Sequence, residues 1–74
     1  MSNLPRVSGR EVVKALARMG FEHDRQRGTH IILRQEQYPH RRIVVPDHKE
    51  VAKGTLRAII RSSGLTVEEF KALL

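Results

Sequence analysis

Four histidines and a set of arginines are the residues of this chain whose types could do chemistry. The histidines are His23, His30, His40 and His48. An imidazole, with a reference pKa near ~6.5, can take or give a proton at neutral pH. His30 has the most suggestive setting. It follows Arg25-Gln26-Arg27-Gly28-Thr29 and opens the apolar run Ile31-Ile32-Leu33. Arginines beside it could hold a phosphate while the imidazole assists attack on that phosphate by a ribose 2′-hydroxyl. RNA carries that nucleophile and DNA does not. A lone histidine on a small basic domain is more often a solvated surface residue, so the residues alone leave both readings open.

The other histidines carry weaker signals. His40 sits in a polar loop beside Arg41 and Arg42 and is expected to be solvated; His23 lies in a charged stretch and reads the same way. His48 follows Val45-Pro46-Asp47, where a loop meets a helix, and could support a site. No two histidines stand at the i, i+4 spacing of a helical zinc site, and the chain has no cysteine, so neither a metal nor another cofactor is expected.

These residues must be positioned by short elements. Ser8 and Glu11 make a capping box, and Val7 with Val12 a hydrophobic staple, at the head of a first helix. Val12, Val13, Leu16 and Met19 recur at helical spacing, and Gly20 is the C-terminal glycine. Strands are expected over Phe21–Gln26, Thr29–Arg34 and Arg41–Val45. Arg27-Gly28 is the first turn, Gln35–His40 the second loop, and Pro46 the stop. Alternation then sets His30, Ile32 and Arg34 opposite Ile31 and Leu33, so His30 faces outward if Ile31 and Leu33 face the helices. After the connection Asp47–Ala52, a second helix begins near Lys53 to Thr55, turns Leu56, Ile59 and Ile60 inward, and stops at Gly64. Thr66 with Glu69, and Leu65 with Phe70, repeat the box and the staple for a short third helix. The reading is an α+β fold of order α-β-β-β-α(-α), a two-layer structure with a three-stranded antiparallel sheet and its helices on one face.

At 74 residues the chain is expected to form one domain, residues 1–74, with no room for a deep cleft. Its formal net charge is +6, from 14 Lys and Arg against 8 Asp and Glu, and ten of the fourteen are arginine. A balance of that kind suits a polyanion. The charge is also organised, with Arg10, Lys14 and Arg18 four apart on the first helix and Lys53, Arg57 and Arg61 four apart on the second. An amphipathic helix must turn something polar outward in any case. No apolar run approaches the ~20 residues of a membrane span, and MSNLPRVSGREVV lacks the apolar stretch of a secretory signal, so a cytoplasmic protein is expected.

Segments along nearly the whole chain resemble the HicA-type mRNA interferase toxins of bacterial toxin–antitoxin pairs. They are Val7-Ser8-Gly9-Arg10-Glu11, Leu16 to Phe21, Arg25 to His30, Val45-Pro46-Asp47-His48, Lys53-Gly54-Thr55-Leu56-Arg57, and Gly64-Leu65-Thr66 with Glu68-Glu69-Phe70. Each is weak alone; their order and spacing make the resemblance specific. It implies a fold like that of double-stranded RNA-binding domains, whose element order is the one read above. It also implies mRNA cleavage without a metal by one histidine, which maps onto His30, and a HicB-like antitoxin that covers it. Where many members carry a second, adjacent histidine, this chain has Ile31, and His23 and Asp24 stand where members often have apolar residues. On this reading His30 is the general acid/base. Arg25, Arg27 and the Gly28-Thr29 backbone hold the phosphate, and Lys53 and Arg57 bind RNA backbone, helped by amides at the helix N-terminus. The free form is expected to be monomeric. Which group completes the second proton transfer (water, an arginine or His48) stays open. So do two other functions, a noncatalytic RNA-binding module and a basic domain that binds an acidic protein.

Overall fold

The computed structural model describes residues 3–74; Met1 and Ser2, at the head of the N-terminal stretch read above, lie outside them. The elements run α1 (Gly9–Ala17), β1 (Phe21–Arg27), β2 (His30–Gln35), β3 (Arg42–Pro46), α2 (Lys53–Ser63) and α3 (Val67–Ala72). The strands form one antiparallel sheet in the order β1-β2-β3.

Local chemistry explains most of the boundaries. The Ser8 hydroxyl accepts the Glu11 N–H at 3.1 Å while the Ser8 N–H donates to Glu11 Oε1 at 2.9 Å. These two bonds satisfy amides that a helix start leaves without partners. Thr66 and Glu69 repeat the pair at α3, at 3.1 and 2.8 Å. α1 ends sooner than its apolar spacing implies. It stops at Ala17, the chain turns through Gly20 at φ 86°, and Met19 is left 44% exposed instead of joining the apolar stripe. Gly28 adopts φ 59°, so the first hairpin turns at Gly28-Thr29, one residue later than expected. Pro46 closes β3 from within, as the partner of His30. Gly64, at φ 82°, stops α2.

The core lies between the helices and one face of the sheet. Ile31, Leu33, Ile43 and Val45 turn inward from the strands and meet Val12, Leu16, Leu56, Ile59, Ile60 and Phe70, all buried. Val51, in the connection before α2, is buried as well and ties that loop down. Truncating a fully buried residue such as Leu33 to alanine costs about 2–5 kcal/mol. That is a large share of the stability of any small domain. The other face of the sheet is bare of helices, and there His30 and Val44 are exposed and Ile32 is half-buried.

Candidate active site

Burial alternates along β2 as the sequence implies, with Ile31 and Leu33 inside and His30 and Arg34 outside. Residues directly opposite one another in an antiparallel pair share a face. His30 faces Pro46, Ile32 faces Val44 and Arg34 faces Arg42 across the β2–β3 ladder. Across the β1–β2 ladder, Arg27 faces His30 and Arg25 faces Ile32. Arg25, Arg27, Arg34 and Arg42 therefore surround an apolar strip of Ile32, Val44 and Pro46 that ends at His30.

Simple alternation from the buried Phe21 would turn positions 23, 25 and 27 toward the core. The register shifts between His23 and Arg25, with Asp24 as an extra residue. This β-bulge reverses the alternation. It lets Phe21 stay inside while Arg25 and Arg27 come out beside His30. Gln26 is correspondingly on the helix side. Its Nε2 donates to Asp47 Oδ2 at 3.4 Å and to the Gly28 carbonyl at 3.0 Å, and Asp47 Oδ1 pairs with Arg10 of α1 at 3.4 Å.

The loop after β3 is fixed mainly through its backbone. The Asp47 N–H donates to the Thr29 carbonyl at 2.6 Å, the His48 N–H to the Pro46 carbonyl at 2.9 Å, and the Gly9 N–H to the His48 carbonyl at 2.9 Å. His48 and His30 thus come to line one depression of about 300 Å³, together with Val44, Pro46, Ala52 and Thr55. Ala52 and Thr55 bring in the start of α2. That helix, unlike α1 and α3, has no side-chain cap. Its first N–H groups thus lack the side-chain partner that a capping residue would supply.

Of the residues singled out in the sequence, His30, Arg25 and Arg27 share one face, and Gly28 and Thr29 form the turn beside them. Lys53 and Arg57 are exposed on α2 but do not line the depression. At 3.6 residues per turn Arg57 lies about 200° around the helix from Thr55. The sequence reading missed Thr55, the bulge at Asp24, and Arg42 as a companion of Arg25 on the open face; Arg34 it had already set on the face of His30. His23 and His40 sit at the opposite end of the sheet, in a depression shared with Glu22, Asp24, Glu36, Arg34 and Gln35. Its three carboxylates make it a poor place for a phosphate. Among the described residues no group of three or more His, Asp or Glu side chains is placed to hold a metal ion, and no helix is long and apolar enough to cross a membrane.

No curated relative matches the chain. The family described as HicA toxin of bacterial toxin-antitoxin matches residues 9–65. That span runs from the first residue of α1, through the sheet and the His30–His48 depression, to just past α2. The chain therefore belongs to the HicA family of toxins of bacterial toxin–antitoxin systems.

Proposed function

We propose that this toxin acts in the cytoplasm as a metal-independent endoribonuclease on mRNA, with His30 as its general base. His30 takes the proton from a ribose 2′-hydroxyl as that oxygen attacks the neighbouring phosphate. Arg25 and Arg27, with the Gly28-Thr29 backbone, hold the phosphate and stabilise the charge that builds on it. The N–H groups at the uncapped start of α2 offer further donors to an anion. Lys53 follows the RNA backbone from the first turn of α2, and Arg57 does so one turn further along, away from the chemistry. The observation that carries the reading is the cross-strand register, which sets Arg27 directly opposite His30 with Arg25 next along the same face. The antitoxin is a HicB-like protein with an acidic surface that covers the His30 face of a monomeric toxin.

The test is a side-by-side assay of folded wild-type and His30→Ala protein on one mRNA. His30 is exposed, so its removal changes stability by well under ~1 kcal/mol. Cleavage falls about 100- to 10,000-fold, the usual contribution of a general acid or base, while RNA binding survives. His40→Ala, at the far end of the sheet, leaves cleavage unchanged. Because the proposed chemistry runs through side chains and backbone amides, wild-type cleavage persists in excess chelator. Equal cleavage by wild type and His30→Ala would sink the assignment. Binding by both with cleavage by neither would make the noncatalytic RNA-binding module the better reading.

A further inference from the structure

We infer that His48 is a second catalytic residue, the acid that protonates the departing 5′-oxygen while His30 takes the 2′-hydroxyl proton. The inference rests on the ribonuclease reading above and names the group that completes its proton balance. In the step, a bond forms between the 2′-oxygen and phosphorus and the bond from phosphorus to the 5′-oxygen breaks. The 2′-hydroxyl proton passes to His30, and the proton of a charged His48 passes to the 5′-oxygen. The products are a 2′,3′-cyclic phosphate and a 5′-hydroxyl, and the two imidazoles exchange protons with water to restore their starting states.

Three observations lead to His48. It shares the depression with His30, and the other residues lining it are Val44, Pro46, Ala52 and Thr55, so the titratable side chains there are the two imidazoles. Its backbone is held on both sides, by the His48 N–H on the Pro46 carbonyl and the Gly9 N–H on the His48 carbonyl, each at 2.9 Å. The same loop is tied to the residue before His30 through the Asp47 N–H and the Thr29 carbonyl. A residue whose main chain is fixed while its imidazole stays exposed is poorly explained as a structural residue. Lys53 and Arg27 stand nearby in the chain and across the ladder, but an ammonium or a guanidinium gives up its proton to an alkoxide less readily than an imidazolium does.

The experiment uses an RNA oligonucleotide that the wild-type toxin cuts at one bond, and the same oligonucleotide with sulfur in place of the bridging 5′-oxygen. A thiolate leaves without a proton. His48→Ala is expected to cut the oxygen substrate about 100- to 10,000-fold more slowly than wild type, yet to cut the sulfur substrate at close to the wild-type rate. His30→Ala stays slow on both. His48→Gln, which preserves bulk and polarity, repeats the His48→Ala pattern. Wild-type cleavage of the oxygen substrate by His48→Ala overturns the inference and leaves the ribonuclease reading intact. Equal slowing of His48→Ala on both substrates, or loss of the folding transition in both His48 variants, overturns it in favour of a structural role. If wild type cuts no RNA from which such an oligonucleotide can be drawn, the ribonuclease reading fails and this inference fails with it.

Discussion

A methyl group added at Gly9 would overlap the Pro46 carbonyl oxygen and crowd the Asp47 backbone, because α1 begins directly against the loop that carries His48. The obstacle is backbone, held by the hydrogen bonds on either side of His48, so it cannot swing aside as a flexible side chain would. Gly9→Ala is therefore expected to cost about 1–3 kcal/mol, in the range of overpacked cores. Thermal unfolding should register a fall of about 4–8 °C for each kcal/mol in a domain of this size. Cleavage should fall further than stability alone implies, since the displaced loop takes His48 with it. Gly54 makes the opposite case. It lies inside α2 and a methyl group there meets nothing within 4 Å. Gly54→Ala should raise stability by about 0.4–1 kcal/mol, through the entropy of the unfolded chain. A melting point that rises in Gly9→Ala would deny the close approach at Pro46, and one that falls in Gly54→Ala would deny the open space around Gly54.

At the scale of elements, the two capping boxes, the αL glycine that stops α2 and the alternation of β2 were legible because each is a local pattern of a few neighbours. The outward placement of His30 followed from the same alternation. The end of α1 was not legible, because Met19 continues the helical spacing and only the turn through Gly20 removes it from the core. The faces of Arg25 and Arg27 were hidden for a different reason. From Glu22 to Arg27 every residue is polar, so no apolar period marks where the register changes. The core holds Phe21 at one end of β1 and the hairpin holds Arg27 opposite His30 at the other, and the seven-residue strand meets both demands by bulging at Asp24. Thr55 likewise reaches the site through tertiary contacts that no spacing reveals, whereas His48 was already marked by its place where the loop meets the helix. The bulge yields a prediction uncommon for a strand: deleting Asp24 should be tolerated. The shortened strand keeps His23 opposite Leu33 and Arg25 opposite Ile32 in an unbroken ladder, so stability should change by less than about 1 kcal/mol. Cross-strand nuclear Overhauser contacts between positions 27 and 30 should persist. Deletion of Gln26, by contrast, should slip Arg27 out of register with His30 and lose cleavage. Unfolding of the Asp24 deletion would refute the bulge as the device that reverses the faces.

At the scale of the whole molecule, positive charge is spread over two sides of a body only 17 Å through its shortest axis. The open sheet face carries Arg25, Arg27, Arg34 and Arg42, and the helix layer carries Arg10 and Lys14 on α1, Arg18 at its C-cap, and Lys53, Arg57 and Arg61 on α2. One strand of RNA lying on the sheet cannot also lie along both helix stripes without wrapping around an edge. Arg10 is already paired with Asp47. Only part of the +6 net charge is then used by the substrate, and the salt dependence of binding counts which part. The four arginines of the sheet face, with Lys53 and Arg57 at the start of α2, displace counterions from single-stranded RNA with a slope of about −4 in log affinity against log salt, or roughly a 300-fold loss between about 50 and about 200 mM. Reversing Arg25 and Arg27 together to glutamate should weaken binding and flatten that slope by about 1.4, which is two phosphate contacts. Reversing Lys14 and Arg18 should leave the slope nearly as it was. The measurement is a salt titration of affinity for one unstructured RNA with a cleavage-deficient His30→Ala background, so that the ligand stays whole. A slope near zero would deny phosphate contact altogether. A slope that follows Lys14 and Arg18 instead of Arg25 and Arg27 would move the RNA to the helix layer and leave His30 without a substrate.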